Sequence, residues 1–269
     1  MPETVQGYPK WRGQLSRGPR LLTIALQEAR RAYENQWVRA AGLFCVLFAA
    51  LRLAIAGSRA ATYDNLLSVV SLLRWAALVI ASVMAGPALL EDSRRGALEL
   101  YRARGVGRFD YFVGKALAVW AFCFLAVAVP VLAYYGATYL VSQAQPTGWA
   151  WTWLGILGDA AIFSLVIASL GLGLSAASRS ARAATIFLFG AVAGLDILFG
   201  QVLNAITKSP DVFVLSPLAD MAQQAVWLYP KAKPPYEFPF WWGLIGLGAL
   251  FLLGVLLVAW RQPRVKGVD

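Results

Sequence analysis

The chain has 269 residues, 59% of them hydrophobic and only 14% charged, where a soluble domain carries about a quarter charged residues. A net charge of +10 would suggest nucleic acid in a soluble protein, but here the positive residues flank long apolar runs, and neither zinc-finger spacings nor an aromatic-rich basic sheet is present. With no histidine, three methionines and two cysteines that both lie in apolar runs, the composition argues against a metal site built on imidazole or thioether ligands and against a disulfide framework.

Residues 1–19 are polar, carry Pro2, Pro9 and Pro19, and read as a loose arm. They hold no apolar stretch with a small-residue cleavage site, so no cleaved signal peptide is expected. Residues 20–37 show a helical period. Leu22, Ala25, Ala29, Tyr33 and Trp37 are expected on an apolar stripe, with Arg20, Thr23, Gln27, Arg30, Arg31 and Glu34 on a polar one. Because this basic amphipathic segment runs straight into an apolar run, it is expected to lie along a leaflet surface as an interfacial connecting helix.

Membrane spans are expected at about 38–56, 66–90, 111–136, 151–176, 182–206 and 240–260, which makes 38–260 one six-span domain followed by a tail, 261–269. Pro130 falls inside the third span, where a kink is tolerable because neighbouring helices can satisfy the freed backbone. Lys and Arg alternate across these spans. Lys10, Arg12, Arg17, Arg20, Arg30, Arg31 and Arg39 lie before or at the start of the first; Arg94, Arg95, Arg102, Arg104, Arg108 and Lys115 follow the second; Arg179 and Arg182 follow the fourth; Arg261, Arg264 and Lys266 follow the sixth. The opposite loops hold only Arg59, Lys208, Lys231 and Lys233. The bias sets both ends in the cytoplasm. The last external loop, 207–239, contains the amphipathic stretch 215–228 and, with Trp227, Tyr229, Tyr236, Trp241 and Trp242, an expected aromatic belt.

The most informative stretch is LLEDSRRGALELYRARGVGRFDYFVGKAL, residues 89–117, between the second and third spans. The acids Glu91 and Asp92 are followed by Arg94, Arg95 and Gly96, a short helical piece with Leu98, Glu99 and Leu100, the basic Arg102 and Arg104, and a turn at Gly105 and Gly107. Two readings fit these residues: a short amphipathic helix that docks in a groove of a soluble partner and passes its movement to the spans, or a solvated loop that satisfies the positive-inside rule.

This stretch resembles the type-2 family of ABC transporter permeases. In that family an acidic residue ends the second span, and a Gly-x-Leu-Glu-like step, a turn, a basic residue and a Gly-Lys pair follow. Glu91, Gly96, Leu98, Glu99, Arg108, Gly114 and Lys115 stand in that order here, with Gly105 where the family often has proline. The 20–37 helix is similar to the family's connecting helix, GLGLSAASRSARAA (171–184) to its link between spans four and five, and LSPLADMAQQAVWL (215–228) to its external re-entrant or surface helices. The resemblance implies an all-α integral membrane permease half in the bacterial plasma membrane. It would pair with an identical or related permease chain, surrounded by lipid, over a separate ATP-binding subunit that holds the ATP and Mg. Glu91, Asp92, Arg95, Gly96, Leu98, Glu99, Leu100, Arg102 and Arg104 would then form the coupling helix. The chain has no Gly-rich phosphate loop ending in Lys-Ser or Lys-Thr, so no ATP site and no cofactor of its own is expected.

Four ionisable residues fall inside spans: Arg52, Arg74, Asp159 and Asp196. Counted along the spans, all lie in the outer half. They either form at least one Arg–Asp pair that lines or closes the outer part of a pathway, or Arg52 snorkels to the head groups while the others pair for structure. Gly171, Gly173, Gly190, Gly194 and Gly200 fit close helix packing or a gating hinge. Within the same family a maturation or assembly role, such as that of the permease serving nitrous-oxide reductase or a gliding complex, is the alternative to export. A non-transporting membrane scaffold is a further one. A membrane-embedded hydrolase fits poorly, since there is no histidine base and the two intramembrane aspartates are isolated by spacing.

Overall fold

Lipid offers no partner to a backbone N–H or C=O, so an apolar run that crosses a bilayer must satisfy its own backbone, and a helix does this within one segment. The computed structural model describes residues 20–56, 63–94, 108–142, 149–207, 216–219 and 240–261. Among these the secondary structure is helical, with no strand, and six helices are long and apolar enough to cross a membrane.

Helix α1 (Arg20–Glu34) is separated from α2 (Gln36–Ala56) by Asn35. The Asn35 carboxamide oxygen accepts from the Trp37 N–H at 2.9 Å while its carbonyl accepts from Arg39 at 3.1 Å, which caps α2 and turns the chain. The surface segment therefore ends three residues before the expected position 37. Helices α3 (Tyr63–Arg94), α4 (Arg108–Ser142) and α5 (Trp149–Ala177) are the long ones, and α4 outruns its expected span at both ends. Ser180 caps α6 (Ala181–Leu195), its hydroxyl accepting from the Ala183 N–H at 3.1 Å. The fifth span does not stay α-helical to 206 as expected: it continues as a π-helical stretch, Asp196–Leu203, before the short α7 (Asn204–Thr207). Helix α8 (Phe240–Arg261) completes the bundle.

Helices α3 and α5 form the centre. In their most apolar stretches 61% and 67% of residues are buried, against 17% to 22% for α2, α6 and α8. Helix α3 packs against α2, α4, α5 and α6, and α5 packs against α3, α4, α6 and α8. Small residues allow the closest approaches, as expected where dispersion rather than the hydrophobic effect holds helices together. A Cβ on Gly173 would lie 2.5 Å from the Gly254 carbonyl oxygen, so α5 and α8 touch backbone to backbone. Pro87 interrupts α3, and the Ser175 hydroxyl of α5 serves the local backbone there, donating to the Gly86 carbonyl at 2.7 Å and accepting from the Leu89 N–H at 3.3 Å.

Helix α1 divides the expected stripe. Leu21, Ile24, Ala25, Glu28, Arg31 and Ala32 face inward, mainly against α4, whereas Leu22, Tyr33 and Trp37 are exposed. Arg31, expected on the outward polar stripe, belongs to the inward face.

Candidate functional site: a charged clamp at one end of the bundle

At the end of the bundle where α1 meets α2, where α3 ends and where α4 begins, five charged side chains converge. Lys115, about two turns into α4, is 1% exposed and is the hub. Its ammonium donates to Glu28 Oε1 of α1 at 2.5 Å and to the Ala88 carbonyl of α3 at 2.6 Å, and it lies 2.7 Å from Asp92 Oδ2. These three contacts use all three donors of the ammonium. Asp92 is in turn held by the Tyr111 hydroxyl, which donates to it at 2.7 Å, and the Lys115 ammonium sits 5.3 Å from the centre of the Tyr111 ring. Arg31 of α1 closes the other side, paired with Glu91 and 3.7 Å from Asp92 Oδ1. A cleft of about 60 Å³ opens beside the clamp, walled by Glu28, Asn35, Val38, Met84, Pro87 and Val119.

The local sequence explains this meeting. Gly114 precedes Lys115, and a Cβ there would lie 2.9 Å from the Ile24 Cβ and 3.1 Å from the Leu21 carbonyl oxygen. Glycine thus lets α1 lie against α4, and the next residue anchors it. Among the described residues, three carboxylates, Glu28, Glu91 and Asp92, face two cations, Arg31 and Lys115. Removing one partner from a buried ion pair costs about 3–5 kcal/mol, because the other charge is left uncompensated in a poorly solvated place. The clamp therefore fixes α1, the end of α3 and the start of α4 to one another.

Of the residues expected to form a coupling helix, Glu91 and Asp92 are members of this clamp. Arg95, Gly96, Leu98, Glu99, Leu100, Arg102 and Arg104 lie outside the described residues. Sequence reasoning did not single out Glu28, Arg31 or Tyr111. A signal existed for Glu28: it is an acid in a basic helix and falls on the same helical face as Ile24, Arg31 and Ala32.

The four intramembrane charges lie toward the opposite end. Arg74 of α3 and Asp159 of α5 form a buried ion pair. Each stands eight residues inside its span, about 12 Å along the helix axis. The Arg74 guanidinium also lies 5.9 Å from the centre of the Phe163 ring. Among the described residues the Asp159 Oδ2 atom has no hydrogen-bond partner. Arg52 and Asp196 do not join this pair. Arg52 donates to the Ser68 hydroxyl at 2.5 Å, tying α2 to α3, and its guanidinium lies 5.9 Å from the centre of the Phe48 ring. Asp196, at the start of the π-helical stretch, accepts from the Ser216 hydroxyl, which also accepts from the Ala219 N–H at 3.2 Å. That contact pins residues 216–219 to the end of α6. Arg74 and Asp159 are buried within one chain, between two central helices, so their observed role is to join those helices.

The glycines divide in the same way. Gly171 and Gly173 sit in tight helix contacts, whereas a Cβ on Gly190 or Gly194 would meet nothing within 4 Å among the described residues. Comparison with models of known protein families and with curated proteins finds no match to this chain.

Proposed function

We propose that this chain is the membrane-spanning permease subunit of an ATP-driven exporter, working as a dimer with an identical or related chain and driven by a separate ATP-binding subunit. In this reading the protein lies in the bacterial plasma membrane, with both ends and the segment between α3 and α4 on the cytoplasmic side. The clamp around Lys115 is the observation that supports it most. A segment that transmits force must be joined stiffly to what it moves. The helices entering and leaving residues 95–107 are bridged by Lys115, which touches Ala88 and Asp92 on one side of that segment from its own place on the other. Glu28 and Arg31 add α1 to the same rigid unit. A push on the segment would move the ends of α3 and α4 together with α1, rather than spreading one helix from the next.

The chain would supply the pathway and the coupling element, and the partner would supply ATP hydrolysis. The test is biochemical. Tagged chain purified in mild detergent from its own membrane should carry an ATP-binding subunit in equal amount. The complex should hydrolyse ATP, and the chain stripped of that subunit should not. Hydrolysis by the stripped chain, or purification without any ATP-binding subunit, would contradict the proposal.

A further inference from the structure

Helix α1 has three faces where an ordinary amphipathic helix has two. At about 100° per residue, Leu21, Ile24, Ala25, Glu28, Arg31 and Ala32 share one arc, and these are the residues turned to the bundle. Thr23, Gln27, Arg30 and Glu34 share a second arc, polar and exposed. Leu22, Leu26 and Tyr33 share the third, and they are 51%, 62% and 68% exposed. Trp37, at the first turn of α2, is 63% exposed. A polar arc and an apolar arc, side by side and both exposed, are what a helix presents when it lies at the boundary between water and acyl chains.

The position of the helix is fixed independently. Asn35 caps α2 directly after α1 ends, and α2 is a membrane span from Gln36 onward, so α1 sits at head-group depth. The clamp sets its rotation, because Glu28 and Arg31 are held inward. Arg30 and Arg39 are exposed, Arg30 3.9 Å from Glu34, and in sequence the nineteen residues before α1 add Lys10, Arg12 and Arg17 against Glu3.

We propose that the outer faces of α1 form a lipid-binding surface that takes anionic phospholipid, with acyl chains against Leu22, Leu26 and Tyr33 and phosphate head groups against Arg30 and Arg39. Lipid seating follows from the geometry of α1 alone. Its consequence, that leaflet composition tunes the coupling of ATP hydrolysis to transport through the clamp, rests on the permease reading.

The experiment uses the full chain in nanodiscs of phosphatidylcholine with or without phosphatidylglycerol. Cys45 and Cys123 are buried at 1% and 0% exposure, so a fluorophore can be directed to single cysteines introduced as Leu26→Cys, Tyr33→Cys and Gln27→Cys. Brominated acyl chains should quench the label at 26 and 33 and not at 27, while aqueous iodide should quench the label at 27. Native mass spectrometry should show phosphatidylglycerol retained over phosphatidylcholine. Arg30→Gln and Arg39→Gln should each lower that preference by roughly fivefold, the effect of about one cationic side chain near an anionic surface. Equal iodide quenching at 26 and 27 would overturn the proposal, because water would then cover the face. Protection of 26 from both quenchers would overturn it too, because protein would cover the face. An unchanged lipid preference in both arginine variants would remove the anionic selectivity. None of these readouts requires ATP hydrolysis, so they can fail or succeed separately from the permease reading.

Discussion

Lys115 and Arg74 are both buried cations, and they are buried in different ways. Lys115 has three oxygen partners on two other helices, whereas Arg74 is paired with the Asp159 carboxylate and lies beside an aromatic ring. Lys115→Met should therefore leave Glu28 and Asp92 short of a counter-charge and cost about 3–5 kcal/mol. The loss can be read as a lower midpoint in thermal unfolding followed by a thiol-reactive dye, because both cysteines are buried until the bundle opens. Arg74→Met alone should be as costly. The double change Arg74→Met with Asp159→Leu should recover most of the loss, since an apolar pair of similar volume replaces a buried ion pair at little cost. Charge exchange between Arg74 and Asp196 should not rescue, because Asp196 serves Ser216. The four intramembrane charges could be picked out from composition along the spans. Their pairing could not, because spacing along one helix says nothing about which residue on another helix stands at the same depth and azimuth.

At the scale of elements, the six apolar runs were readable, because apolar length is what a bilayer selects. Finer features were not. Of the expected α1 stripe, Leu22, Tyr33 and Trp37 are exposed while Ala25 is buried against the bundle: hydropathy cannot distinguish a face turned to lipid from one turned to protein. The π-helical stretch from Asp196 to Leu203 leaves no mark in composition. The glycines were visible, but only the packed structure separates those in contact from those facing open space. Gly173→Ala or Gly254→Ala should force α5 and α8 apart and cost about 1–3 kcal/mol, as overpacking does. Gly190→Ala should cost the isolated chain nothing, since its Cβ would enter open space. The same unfolding assay distinguishes these outcomes. Asn35→Ala should remove the cap on α2 and cost about 1 kcal/mol.

At the scale of the whole molecule, charged contacts sit at two levels. One level, around Lys115, binds three helices at the end from which residues 95–107 emerge. The other, with Arg74–Asp159, Arg52–Ser68 and Asp196–Ser216, ties helices together toward the far end. Between them the core is apolar and close-packed around α3 and α5. This arrangement suits a bundle that tilts as a body when one end is pushed. The acids at 91 and 92 and the Gly-Lys pair at 114 and 115 were legible as a motif. The clamp they build was not, because it needs Glu28 and Arg31 from a helix some 60 residues earlier in the chain. The most direct test of the account places a photo-crosslinking residue at Glu99 or Arg102 in the full chain, in its native membrane. Adducts identified by mass spectrometry should contain an ATP-binding cassette subunit, and Lys115→Met should lower their yield. Adducts with lipid or with the chain itself, and none with an ATPase, would contradict it.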